Sequence, residues 1–171
     1  MSNIGKKERE TQDRVIALMD EELGYRYLGN WEDRAGNSNV EEELLSTWLV
    51  NKKGIEKDLA AKAIFEFNKV ANDQGKSLYE INKEVYSMLR YGVPVRPEIG
   101  MNKVSVFLIN WEHPLDNDFA IAEEVTIKSK HDKRPDIVLY INGIALGILE
   151  LKRSIVSNTE GIRQNLDDQK E

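Results

Sequence analysis

Three charged residues interrupt an otherwise apolar ribbon. Asp136 stands at the start of the run Ile137 to Ile141, and Glu150 and Lys152 close the run that begins at Ile144. Charge among Ile, Leu and Val is costly unless it is paired or holds a metal. Two carboxylates with an amine suit phosphodiester hydrolysis. Mg²⁺ takes hard oxygen ligands, usually one or two carboxylates with waters and substrate phosphate. It supplies an activated water and neutralises charge at the phosphate. Asp136 and Glu150 are the candidate metal ligands, with the backbone carbonyl of Leu151 as a third. Lys152 would orient the water or stabilise charge at the phosphate. The candidate catalytic set is Asp136, Glu150 and Lys152.

These residues need two neighbouring strands to bring them together. Between the apolar runs lies Asn142-Gly143, a strong short-range signal for a β-hairpin. On a strand, Glu150 and Lys152 share one face, and Leu149 and Leu151 the other. A two-residue loop pairs Ile141 with Ile144, and hence Asp136 with Leu149. Residues opposite each other share a face, so Glu150 would then point away from Asp136. The chemistry therefore predicts a bulge, an odd-length loop, or an Asp136 lying off the regular ladder.

The chain around the hairpin has 171 residues, a net charge of −6 and no cysteine. The length predicts one domain with a real core. The absence of cysteine excludes disulfides and thiolate metal sites. There is no apolar membrane span and no export signal at the N-terminus, which points to the cytoplasm. The acidic balance argues against strong standalone nucleic-acid affinity. Locally the balance reverses: residues 126–153 hold six basic residues against three acidic ones, around the candidate site. No Walker-type phosphate loop is present. His113 and His131 have no partners at ligand spacing.

Periodicity predicts a helix over 6–24 with Val15, Ile16, Met19 and Leu23 inward and Gly24 as its stop. Glu8 and Gln12 continue that stripe backwards at spacings of four, so either could reach an active site from the first helix. A short strand at 25–28 follows. Further helices are expected from the N-cap Asn39, from about Glu56 to Asn72, and from the capping box Ser77-x-x-Glu80. Strands are expected at 104–109 and 119–127, the latter with Ala120, Ala122 and Glu124 on one face and Ile121, Glu123 and Val125 on the other. A second capping box, Ser157-x-x-Glu160, opens a last helix, which contains Gln164. Helices first, then a sheet, then a helix indicate an α/β (α+β) fold with a mixed central β-sheet. The chain stops inside that last helix, so residues 1–171 are expected to be one domain of a longer protein.

The spacing Asp-x13-Glu-x-Lys resembles the metal-dependent nuclease signature PD-(D/E)xK. Further stretches resemble the N-terminal endonuclease region of the restriction (R) subunit of type I restriction-modification enzymes. They are Glu22 to Gly29, Leu89 to Val95, Phe119 to Thr126, Arg134-Pro135-Asp136 and Leu149 to Ser154. The resemblance covers nearly the whole chain. It implies a PD-(D/E)xK core flanked by helices, with an inserted or N-terminal helical layer, and Mg²⁺ as cofactor. It implies cutting of unmodified double-stranded DNA after ATP-driven translocation by motor domains that follow residue 171. The implied partners are DNA, those motor domains, and methyltransferase and specificity subunits, with no membrane. ATP and S-adenosylmethionine would serve only the full complex. The family's Gln-x3-Tyr motif places its glutamine on Gln164, but Asp168 stands where the tyrosine is expected. Two alternatives remain open at this point: a non-cleaving docking module built from the helices of residues 39–91, and a DNA-repair nuclease of the same fold class.

Overall fold

The computed structural model describes residues 4–126 and 133–151, with side chains from Arg9 onward. The element order is α1 (Ile4–Ala17), a π-helical turn (Leu18–Glu22), β1 (Arg26–Asn30), α2 (Glu42–Asn51), α3 (Lys57–Ala71), α4 (Leu78–Tyr91), β2 (Val93–Val95), β3 (Val104–Val106), a 3₁₀ turn (Pro114–Asp116), β4 (Phe119–Glu123), β5 (Ile137–Ile141) and β6 (Ile144–Leu149). The chain divides into two compact units. One takes the described parts of Met1–Ser38, Phe119–Tyr140 and Ala145–Glu171; the other takes Asn39–Asp118 and the turn residues Ile141–Ile144.

The main sheet has the order β1-β4-β5-β6. β1 and β4 run parallel. Backbone bonds from Glu124 to Asp136 and from Asn142 to Asp118 run in opposite senses along the two strands, so β4 and β5 are antiparallel. The sheet is therefore mixed, and the protein is α+β, as the element pattern predicts.

In the first unit both faces of the sheet are apolar. Met19, Ile121 and Ile137 form one cluster with Val15, Ile16, Tyr25, Leu139, Leu149 and Leu151. Trp31, Ala120, Ala122, Val125, Val138 and Tyr140 form the other, with Leu28 and Ala145. The period of two accounts for most of this sorting. Val125 departs from it: Glu124 has φ +51°, and this left-handed residue turns Val125 onto the alanine face. Leu23 also departs, being 60% exposed. The π turn before it inserts an extra residue per turn and rotates everything after it.

The second unit packs α2, α3, α4 and the β2–β3 ribbon around Leu45, Trp48, Leu49, Ile64, Phe67 and Leu108. The capping box at α4 forms as expected, with Ser77 and Glu80 bonded both ways. α2 begins at Glu42 with Glu41 as its cap, and Asn39 is not the N-cap. The reason lies in the backbone: Val40 bridges Ile144, and the Glu41 N–H donates to the Gly143 carbonyl at 2.8 Å. Those backbone groups are held by the hairpin, and helix begins only after them.

The hairpin turn has φ +53° at Asn142 and +84° at Gly143, the two-residue type I′ geometry. Asn142 is fully buried and organises its surroundings. Its amide donates to the Leu108 carbonyl at 2.9 Å and to Asn117 Oδ1 at 2.8 Å, and its Oδ1 accepts from the Asp118 N–H at 2.7 Å. The expected strand at 104–109 stops at Val106, because beyond it backbone groups bond to asparagine side chains: the Leu108 carbonyl to Asn142 and the Asn110 N–H to Asn117. Gly143 is crowded too; a Cβ there would lie 2.8 Å from the Glu41 carbonyl oxygen and 2.8 Å from Leu44 Cβ. Among the described residues, no helix is long and apolar enough to cross a membrane.

Candidate active site

A two-residue loop threatened to send Asp136 and Glu150 to opposite faces. Two features of the structure bear on this. Asp136 lies in a bend just before β5, where its carbonyl still pairs with the Glu124 N–H of the β4 side. The alternation along β6 also shifts by one. Ala145 packs with the Val138–Tyr140 face, whereas Gly147 lies against Leu139 and Leu149 joins Ile137 on the other face. Residues 145 and 147 would share a face on an unbroken strand, so an extra residue is accommodated between them, as in a bulge.

The Asp136 carboxylate lies across the end of β6. Its Oδ2 accepts the backbone N–H of Leu151 at 2.5 Å. Glu150, the preceding residue, is half-buried. Leu149 and Leu151 both face the Met19–Ile121–Ile137 cluster, which is the face division expected for Leu149-Glu150-Leu151. The backbone carbonyl of Asp136 is held as well. It accepts the Glu124 N–H at 3.0 Å and the Gln12 side-chain amide at 3.4 Å. Gln12 thus lies at the backbone of Asp136. The backbone of Glu8 lies in α1, but its side chain is outside the described residues, as are Lys152, Gln164 and Asp168.

Beside Asp136 is a second acidic centre that sequence reasoning passed over. Glu123, at the end of β4, is 2% exposed. Arg9 grips it with two guanidinium nitrogens, Nη1 to Oε2 at 2.9 Å and Nη2 to Oε1 at 3.1 Å. The Tyr27 hydroxyl donates to Oε1 at 2.7 Å and the Gln12 amide to Oε2 at 2.8 Å. Burial alone would push the Glu123 carboxyl up. Hydrogen bonds from Tyr27 and Arg9, the Arg9 charge and the Gln12 amide outweigh it, and the group lies below the usual carboxylate range. Tyr27 is pushed up to about 12, first by burial and then by its bond to Glu123. Glu124 continues the network: it accepts from Gln12 at 3.2 Å and pairs with Arg134 at 3.1 Å, and Arg134 also meets Glu32.

The one sequence signal for Glu123 was an acid placed on the Ile121 face of a half-apolar strand. Its partners Arg9, Gln12 and Tyr27 lie at least 96 residues away in the chain, where no local pattern links them.

Among the described residues, no group of three or more His, Asp or Glu is arranged to hold a metal ion. The Asp136 and Glu150 carboxylates and the Leu151 carbonyl are hard oxygen donors, the kind Mg²⁺ prefers. Their chemistry fits such an ion.

Comparison with known proteins identifies the family. Residues 5–171 match the family model described as type I restriction enzyme R protein N terminus. A 78-residue stretch is 37% identical to the type I restriction enzyme HindI endonuclease subunit of Haemophilus influenzae. That match covers 43% of this chain and 7% of the relative's length, so the chain corresponds to a small part of such a subunit. No solved structure matches. With the family model running from the first helix to the last residue, through both the Glu123 centre and the Asp136 hairpin, the chain belongs to the N-terminal family of type I restriction enzyme R proteins.

Proposed function

We propose that this chain is the metal-dependent endonuclease domain of an R subunit, with Asp136, Glu150 and Lys152 as its catalytic set and a PD-(D/E)xK core. The supporting observation is the contact between the Asp136 carboxylate and the Leu151 N–H, which fastens the start of β5 to the segment carrying Glu150 and Lys152. Asp136 and Glu150 would hold Mg²⁺, with the Leu151 carbonyl beside them. When bound, the ion supplies charge neutralisation at the phosphate and an activated water. Lys152 would orient that water or stabilise the negative charge that builds on the phosphate oxygens as the ester oxygen departs. Gln12 fixes the Asp136 main chain and so limits how far its carboxylate can swing. The substrate is unmodified double-stranded DNA delivered by motor domains of the longer protein, in a complex with methyltransferase and specificity subunits.

The test uses the full-length protein in its assembled complex. Asp136→Ala and Lys152→Ala should each abolish cutting and leave ATP hydrolysis intact. Cutting at the parent rate by either variant sinks the assignment and leaves a docking role for the domain.

A further inference from the structure

The outward face of α4 has an unusual composition. At 3.6 residues per turn, Tyr79, Lys83, Tyr86 and Arg90 fall within an arc of about 60°. The helix buries the opposite side, through Leu89 with Val85 and Met88. A solvent face of this kind usually carries mixed charges. Here it alternates ring, cation, ring, cation, without an acid. Tyr79 is 77% exposed and Tyr86 is 64% exposed, so neither ring contributes to the core. Lys83 and Arg90 are exposed, and no carboxylate among the described residues pairs with either. The nearby acids are engaged elsewhere: Glu80 caps the helix with Ser77, and Glu84 binds Lys76.

A second observation concerns Arg90. Its guanidinium rests 5.5 Å from the centre of the Trp111 ring, and Trp111 is itself fastened by its Nε1–H to the Leu89 carbonyl at 2.8 Å. Arg90 is thus steadied by an aromatic face instead of an acid, which leaves its donors for an outside anion. Residues 81–111 hold four basic residues against two acidic ones, in a chain whose net charge is −6.

We propose that this face of α4 is a binding track for single-stranded nucleic acid. A nucleotide chain alternates phosphate and base, which matches alternating cations and rings. Every base has a π-face that can stack on tyrosine. A duplex hides those faces, and an acidic protein would satisfy the cations without using two rings about 10 Å apart along the helix. The track does not involve Asp136 and stands independently of the cleavage reading.

The experiment is fluorescence anisotropy of the whole 171-residue chain with a labelled oligothymidylate of about 20 nucleotides, without divalent metal, over a salt series. Lys83→Ala/Arg90→Ala should weaken binding at least tenfold and reduce the slope of log affinity against log salt by about 1.4, two lost phosphate contacts at roughly 0.7 each. Tyr79→Ala/Tyr86→Ala should weaken binding at least tenfold with the slope unchanged. Tyr79→Phe/Tyr86→Phe should bind like the parent. Tyr79, Lys83 and Tyr86 face solvent and Arg90 gives up only its exposed contact with Trp111, so thermal melting should fall by no more than about 4 °C. The proposal is overturned if the tyrosine pair can be removed without effect, if matched duplex binds as tightly as the single strand, or if the parent binds no better than the fourfold alanine variant.

Discussion

Glu123 and Asp136 are two acids joined through one glutamine side chain, and the protein treats them in opposite ways. Glu123 is buried and takes donors from Arg9, Gln12 and Tyr27 on both oxygens. Asp136 is half-buried, and among the described residues its carboxylate takes a single backbone N–H, from Leu151. A carboxylate whose charge is compensated on every side holds structure and has little left to offer a ligand. One held by a single donor keeps acceptor capacity for an ion or a water. Reading acids by type alone would rank them equally; their donors separate them.

This contrast can be broken most sharply by exchanging the two acids' roles under mutation. Glu123→Leu should destabilise the fold by about 3 kcal/mol, because the buried Gln12 amide and the Tyr27 hydroxyl lose their charged acceptor, as measured by urea unfolding. Asp136→Ala should cost only about 1–2 kcal/mol, the loss of one hydrogen bond to a charged group, while removing cutting. Equal losses of stability from both would erase the distinction.

Acid titration sharpens the same point. The folded Glu123 carboxyl lies below its unfolded value, so its contribution is present above the usual carboxylate range and is lost as pH falls through the lower folded value. Unfolding free energy should therefore drop below about pH 4, and Glu123→Gln should flatten that drop. An unchanged acid limb would place the stabilising charge elsewhere.

The smallest effect is expected at Tyr27. Tyr27→Phe removes one hydrogen bond to Glu123 and should cost about 1 kcal/mol. Tyr27 titrates at about 12 in the folded state, above its ordinary value of 10.0, so its contribution is intact below pH 10 and fades as pH rises toward 12. Ultraviolet titration should show one tyrosine fewer at the high end in Tyr27→Phe.

The sequence revealed what is local. The Asn142-Gly143 turn, the Ser77 capping box, the inward faces of α3 and α4 and the two faces of Leu149-Glu150-Leu151 all follow from short-range spacing. It did not reveal where backbone groups are claimed from a distance. Val40 and Glu41 are taken by the hairpin turn, which delays α2. Glu124 turns left-handed and sends Val125 to the other face. The register arithmetic did show that an unbroken hairpin would separate the two candidate acids. It could not choose between a bulge and a displaced Asp136; the packing of Ala145, Gly147 and Leu149 favours the bulge. Glu123 stayed hidden because three residues distant in the chain supply its partners.

The crowding at Gly143 has a practical consequence. Hairpin tips are the usual places to splice in an epitope, a fluorophore-bearing cysteine or a circular-permutation break, since most of them project into water. This one is wedged against the Glu41 carbonyl and Leu44, so even a methyl group has no room. Labels for following this domain inside a larger assembly belong on other loops, such as the glycine-containing bend near Asp73, whose residue Gly75 has ordinary backbone angles.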